Sequence, residues 1–145
     1  MQARSLPAAT LTDVRTGQKV SFANACPRGR VTLVCFWGTW CAHGKRQEQT
    51  IARNLPTWQR LMDFHHIAIA TDQEGLEHQL LPYIQARGWT FPCYTDPGSA
   101  LKHALGASAL PYIVIVDKKG RIAYTHTGYL TDVAILRKLR EMASR

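Results

Sequence analysis

The sequence predicts an α/β fold, a mixed central sheet with helices on both faces, and three observations carry that prediction. Strand-like and helix-like stretches alternate along the chain, the order expected when helices cross over a sheet. VTLVCFW, residues 31 to 37, is a nearly unbroken β-branched and aromatic run and reads as a strand buried on both faces. The chain finishes with two strands joined at Lys119–Gly120 and then a helix, so part of the sheet is antiparallel. A length of 145 residues suits one domain with a full core, residues 1–145.

The elements follow in order. TLTDVRTGQKVSF reads as an N-terminal β-hairpin, two short strands around the Thr16–Gly17 turn, and ANACPRGR as a loop. After the buried strand, Ala42 to Arg53 is rich in Gln, Glu, Lys and Arg and predicts a helix, with Pro56 starting a second helical piece through Met62. HHIAIAT at 65–71 is the next strand. Leu76, Leu80, Leu81 and Ile84 recur at helical spacing up to Gly88, with a kink or reset demanded by Pro82. A short strand near FPCYT, a short helix near Ser99 to Leu105, and the strands YIVIVD (112–117) and RIAYTHT (121–127) complete the sheet. Leu130 to Met142 predicts an amphipathic helix with Val133, Leu136 and Leu139 facing inward.

Composition excludes several classes. Hydrophobic residues make up 46% and charged residues 19%, ordinary for a globular protein, and no apolar run has the length of a membrane span. The net charge of +8 is spread along the chain in short pairs such as Lys45–Arg46, Lys118–Lys119 and Arg137–Lys138, with no aromatic-basic motif, so nucleic acid is not an expected partner. MQARSLPAATL lacks the apolar segment of a secretory signal. The expectation is either a cytoplasmic protein or one whose signal has been removed. Four cysteines, Cys26, Cys35, Cys41 and Cys93, show no metal spacing, and His65–His66 has no further ligands at metal spacing. No metal site is expected.

Cys41 is the candidate nucleophile. It falls where the buried strand ends and a helix begins, and the unpaired N–H groups of a helix N-terminus favour thiolate over thiol. His43, Lys45 and Arg46 add positive character nearby. The bland alternative is a buried, inert cysteine.

VTLVCFWGTWCAHGKRQ resembles the active-site segment of thioredoxin-fold proteins, in particular the TlpA/ResA-like thiol-disulfide oxidoreductases, whose core reads FWxTWCxxC. GASALPYIVIVDKKGRI is similar to that family's proline loop and last hairpin, and TGQKVSF to its N-terminal hairpin, so the resemblance covers essentially the whole chain. It implies a thioredoxin-like fold, no cofactor, Cys41 as attacking cysteine and Pro111 as a cis-proline facing it. Leu110 would then offer backbone groups to an extended substrate and Trp40 an apolar wall, unless Trp40 is simple packing. His43 would stabilise the thiolate, or stand as an exposed polar residue. Relatives of this type are mostly outside the cytoplasm, which favours a periplasmic or cell-envelope location.

Two departures from the family pattern carry consequences. Gly44 occupies the place of the resolving thiol, so Cys41 cannot release a partner by closing an internal bridge. Cys35 stands on the strand where relatives carry a buried Asp or Asn, and is read as a core cysteine rather than a hidden second redox partner. Cys93 is either a remote resolver or an edge-strand residue, and Cys26 lies in a loop before the core. The expected function is a single-cysteine oxidoreductase or isomerase acting on a protein or small-molecule disulfide, with an external, glutathione-like thiol as resolver. The alternatives are a non-catalytic binding module using the Trp40/Pro111 groove, an engineered cysteine-to-glycine variant of an ordinary dithiol reductase, and peroxide reduction, which the absence of a proline ahead of Cys41 disfavours.

Overall fold

A computed structural model describes residues 4–72 and 75–145. In chain order the strands are β1 (Arg4–Ser5), β2 (Thr10–Asp13), β3 (Lys19–Ser21), β4 (Val31–Trp37), β5 (Phe64–Ala70), β6 (Cys93–Thr95), β7 (Tyr112–Val116) and β8 (Arg121–Thr127). The helices are α1 (Phe22–Ala25), α2 (Ala42–Leu61), α3 (Leu80–Ala86), α4 (Ala100–Leu105) and α5 (Asp132–Ala143), with single 3₁₀ turns leading into α3 and α4.

The strands form one mixed sheet in the order β1-β8-β7-β4-β5-β6-β2-β3. β4 pairs parallel with β5 and antiparallel with β7, and β5 pairs parallel with β6. All seven residues of β4 are buried, as the apolar run predicts, because helices cover both faces. Val31, Leu33, Cys35 and Trp37 point to a core shared with Ile51, Leu55 and Trp58 of α2, Leu80 and Ile84 of α3, and Ile135 and Leu139 of α5. Val34 and Phe36 point the other way, to Phe22, Leu101 and Leu105 on α1 and α4. This alternation is the period of two that a strand imposes.

Four expectations are corrected. Pro56 does not begin a new helix: α2 runs unbroken from Ala42 to Leu61 with Pro56 inside it. Ile51, Leu55 and Trp58 are all buried, and packing of that stripe on the sheet outweighs the one backbone hydrogen bond a proline removes. In α5 the buried residues are Ile135, Leu139 and Met142, while Val133 is 62% exposed and Leu136 only partly buried. Thr131 caps the helix, its hydroxyl accepting from the Ala134 N–H, and the stripe that meets the sheet is Ile135, Leu139 and Met142. Residues 22–25 of the expected loop form α1, with Cys26 buried at its C-cap. β6 is not an edge strand, because β2 pairs along its outer side. Pro82 resets the helical stretch as expected, standing in the first turn of α3, where its missing N–H costs little.

Candidate functional site

The site is made where β4 ends and α2 begins, beside the loop that enters β7. Cys41 is the N-cap of α2, in extended conformation, and its Sγ accepts a hydrogen bond from the Gly44 N–H at 3.3 Å. A sulfur thus takes the place that a Ser or Asp oxygen fills in an ordinary cap. The first turn of α2 contains no acidic residue, so nothing there opposes negative charge on the sulfur.

On the other side the sulfur lies 3.9 Å from the Leu110 carbonyl oxygen. The Leu110–Pro111 peptide is cis. Pro111 O accepts from the Gly128 N–H at 2.8 Å, which ties this loop to the end of β8. Among the described residues the Leu110 N–H has no hydrogen-bond partner. An extended segment could pair with it beside the sulfur.

Trp40 is 51% exposed, and its indole N–H reaches the Thr71 carbonyl at 3.4 Å. It can fold back this way only because Gly38 has no side chain: a Cβ there would stand 2.6 Å from the indole nitrogen. A cleft of about 460 Å³ opens beside Trp40, with Asp72 and Lys102 among its walls. The structure therefore brings the Cys41 sulfur against the Gly44 N–H and the Leu110 carbonyl, next in sequence to Pro111, whereas the cleft that Trp40 lines contains neither Cys41 nor Leu110–Pro111. His43 is exposed on the first turn of α2.

Sequence reasoning missed several groups. The Asp72 carboxylate accepts from the Thr39 N–H at 2.9 Å and the Thr39 hydroxyl at 2.6 Å, fixing the turn that carries Trp40 and Cys41. Gln47 exchanges two hydrogen bonds with the Leu130 backbone at 3.0 and 2.7 Å, holding α2 to the start of α5. Beneath the site, Glu48 and His66 are fully buried and paired, Nε2 to Oε2 at 3.1 Å. Nothing local in the sequence marks these pairs, since their members lie 18 or more residues apart.

The other three cysteines are free and buried. Burial pushes the thiols of Cys26 and Cys93 up to about 12, and raises that of Cys35 well above its ordinary value with the Glu48 carboxylate adding to the effect. They therefore stay protonated and unreactive near neutral pH. Cys35 and Cys93 sit level with one another on either side of Ala68. Two strand spacings, about 9.6 Å, are beyond disulfide reach.

The whole of this arrangement lies within residues 1–139, the span matched by the profile of the Redoxin family. The chain belongs to the Redoxin family. Among curated relatives it is 26% identical to the thiol-disulfide oxidoreductase ResA of Geobacillus thermodenitrificans over 79% of its own length and 64% of the relative's. It is 25% identical to the sporulation thiol-disulfide oxidoreductase A of Bacillus subtilis over 88% of its length and 75% of that protein's. The chain thus spans a little under two thirds of the ResA relative. Its structure superposes on the solution structure of a thioredoxin-like protein from Porphyromonas gingivalis with a TM-score of 0.83 at 26% identity, covering 99% of this chain and 95% of the other. The Redoxin chain accordingly has the thioredoxin-like fold, a mixed sheet with helices on both faces.

Proposed function

We propose that this Redoxin-family chain is a thiol-disulfide oxidoreductase or isomerase that works through a single cysteine. One observation carries the reading: of the four cysteines only Cys41 reaches the surface, and its sulfur is held at a helix N-terminus by the Gly44 N–H. The Cys41 thiolate attacks one sulfur of a disulfide R–S–S–R′, forming Cys41–S–S–R and expelling R′ as a thiolate. A second, external thiolate then attacks the R sulfur and releases the Cys41 thiolate. One disulfide is exchanged for another, and no other oxidant or reductant takes part.

Gly44 makes the external step obligatory, because no thiol stands one turn along the helix. A glutathione-like thiol suits that step, and in isomerisation the substrate's own second thiol does. His43 is assigned the stabilisation of the thiolate, and Trp40, Leu110 and Pro111 the substrate groove. Such chemistry needs oxidised partners, which the periplasm or cell envelope supplies and the cytoplasm does not.

A second reading, a groove that holds an extended segment without chemistry, draws on the exposed Trp40 and the free Leu110 N–H. Incubation with glutathione disulfide separates the two. The oxidoreductase reading expects a stable mixed disulfide at Cys41, seen by intact mass and peptide mapping and discharged by added thiol. A protein that binds disulfide peptides but never forms the adduct is a binding module.

A further inference from the structure

The net charge of +8 is scattered in short pairs along the chain, but folding collects part of it at one end of the sheet. The seven residues of β4 begin at this end and rise about 3.3 Å each toward Cys41, so roughly 20 Å of strand separates the two ends. Arg28 and Arg30 precede β4, and the β7–β8 turn brings Lys118, Lys119 and Arg121 to meet them, the Gly29 N–H donating to the Lys118 carbonyl at 2.8 Å. All five are exposed. The opposite end is mixed in sign, with Lys102, Asp72 and Glu77 around the cleft beside Trp40 and Asp132 in the first turn of α5.

Part of the positive charge has a local partner. Arg30 Nε is 3.0 Å from Asp63, Arg121 Nε is 3.6 Å from Asp117, and Lys118 Nζ donates to the Ala143 carbonyl at 2.8 Å. Arg28 and Lys119 have no ion-pair partner among the described residues. With Arg121 and Ser5 they line a cavity of about 370 Å³. Gly120 shapes it: its φ of +78° turns the hairpin, and a Cβ there would stand 3.2 Å from Arg28 Cγ and 3.3 Å from Arg28 Nε. The bare glycine lets the Arg28 side chain lie across the turn that carries Lys119 and Arg121.

We propose that this end of the molecule docks on an anionic phospholipid surface, with a headgroup phosphate in the Arg28–Lys119–Arg121 cavity and Cys41 facing away from the bilayer. Guanidinium forks match phosphate oxygens, and several cations on one face act together on a charged surface. Leu61, 54% exposed where α2 ends, adds an apolar side chain at the same end. The contact is peripheral, since no described helix is long and apolar enough to cross a membrane. Nucleic acid fits less well, because among the described residues no exposed aromatic ring stands at this end to stack on a base. Docking here does not depend on the chemistry at Cys41.

The test is co-sedimentation of the full chain with vesicles of equimolar phosphatidylglycerol and phosphatidylcholine, against vesicles of phosphatidylcholine alone. The protein should pellet with the first at low salt, stay in solution with the second, and be released by high salt. Arg28→Gln, Lys119→Gln and Arg121→Gln together should weaken binding on the order of 100-fold, at roughly fivefold per cation. Replacing Lys45, Arg46 and Lys102 by Gln removes as much charge from the other end, beyond a Debye length of about 10 Å in ~0.1 M salt, and should leave binding near wild type. Equal losses in the two variants overturn the proposal, as does binding to phosphatidylcholine alone.

The native chain supplies readouts that need no variant to fold. Iodoacetamide should label Cys41 as fast on the vesicles as off them. Protection of Cys41 places the other end on the lipid and overturns the proposal. A single-stranded oligonucleotide that binds where the vesicles do not assigns these cations to nucleic acid and overturns it too. Glycerol phosphate, matched to the vesicles in total phosphate, should not displace the protein, because it offers one phosphate at a time to a face that holds several. Displacement would make the cavity a site for a small phosphate and overturn the docking surface. A chain that docks but forms no glutathione adduct keeps this inference and loses the oxidoreductase reading.

Discussion

Cys41 and Gly44 are separated by two residues and joined by one hydrogen bond, and the proposed chemistry turns on that pair. Cys41 should be the first cysteine alkylated at neutral pH, since Cys26 and Cys93 are held up at about 12 by burial. Peptide mapping after brief iodoacetamide treatment checks this, and equal labelling of Cys93 would remove the basis for a special sulfur. His43→Ala should slow Cys41 alkylation; an unchanged rate makes His43 a plain surface residue. Gly44→Cys restores the C-x-x-C spacing. Its Cβ meets Trp37 at 3.3 Å, so the strand must give by a few tenths of an ångström, against a helix-propensity gain of up to about 1 kcal/mol. We expect the variant to fold, to discharge the glutathione adduct internally, and to show dithiol reductase turnover that the native chain lacks. A folded but inactive variant would assign the groove to binding alone.

At the scale of elements, α2 carries the site, and its far end holds its near end in place. Trp58 is 3% exposed and anchors the helix beyond Pro56. Trp58→Ala should cost about 3–5 kcal/mol in urea unfolding, and a loss below 1 kcal/mol would show that the stretch after Pro56 is not held by packing. Thr131 caps α5 through the Ala134 N–H at 3.3 Å. Thr131→Ala should therefore lower stability by about 1 kcal/mol while leaving Cys41 alkylation unchanged. The two elements show how much the sequence conveyed. Helix-forming polar composition located α2 and apolar periodicity located α5, but the continuity of α2 through Pro56 and the rotation of α5 depend on which stripe meets the sheet. That choice is made by neighbours far along the chain.

For the whole molecule, the buried thiols set an alkaline limit. Cys26 and Cys93 have folded values of about 12 against an ordinary 9.0. Between those values the folded chain keeps protons that the unfolded chain has lost, so stability present below pH 9 falls as pH rises toward 12. Each thiol contributes a slope approaching 1.4 kcal/mol per pH unit in that window. Urea midpoints measured from pH 8 to 11 should fall, and Cys93→Ala should make the fall shallower than in wild type. An equal slope in both would show that Cys93 ionises as freely in the folded chain as in the unfolded one.

Some of this protein is fixed by order along the chain. The run 31–37 reads as a buried strand, and Cys41 stands four residues after its end at the start of a polar helical stretch, so the strand, the helix N-terminus and the cysteine between them are local facts. Gly44 is likewise read without any structure: no thiol follows Cys41 at C-x-x-C spacing. Tertiary structure decided the rest. Cys26 and Cys93 became core residues because α1 forms beside the sheet and the N-terminal hairpin adds to the outer side of β6. Asp72 found Thr39, Gln47 found Leu130, and Glu48 found His66 across separations of 33, 83 and 18 residues. Polar side chains of this kind look like solvated surface in a sequence, because residue type reports what a group can bond and not what the fold brings to it. Only folding brings these partners together, and it turns ordinary carboxylates and amides into the groups that hold the turn before Cys41 and tie α2 to the start of α5.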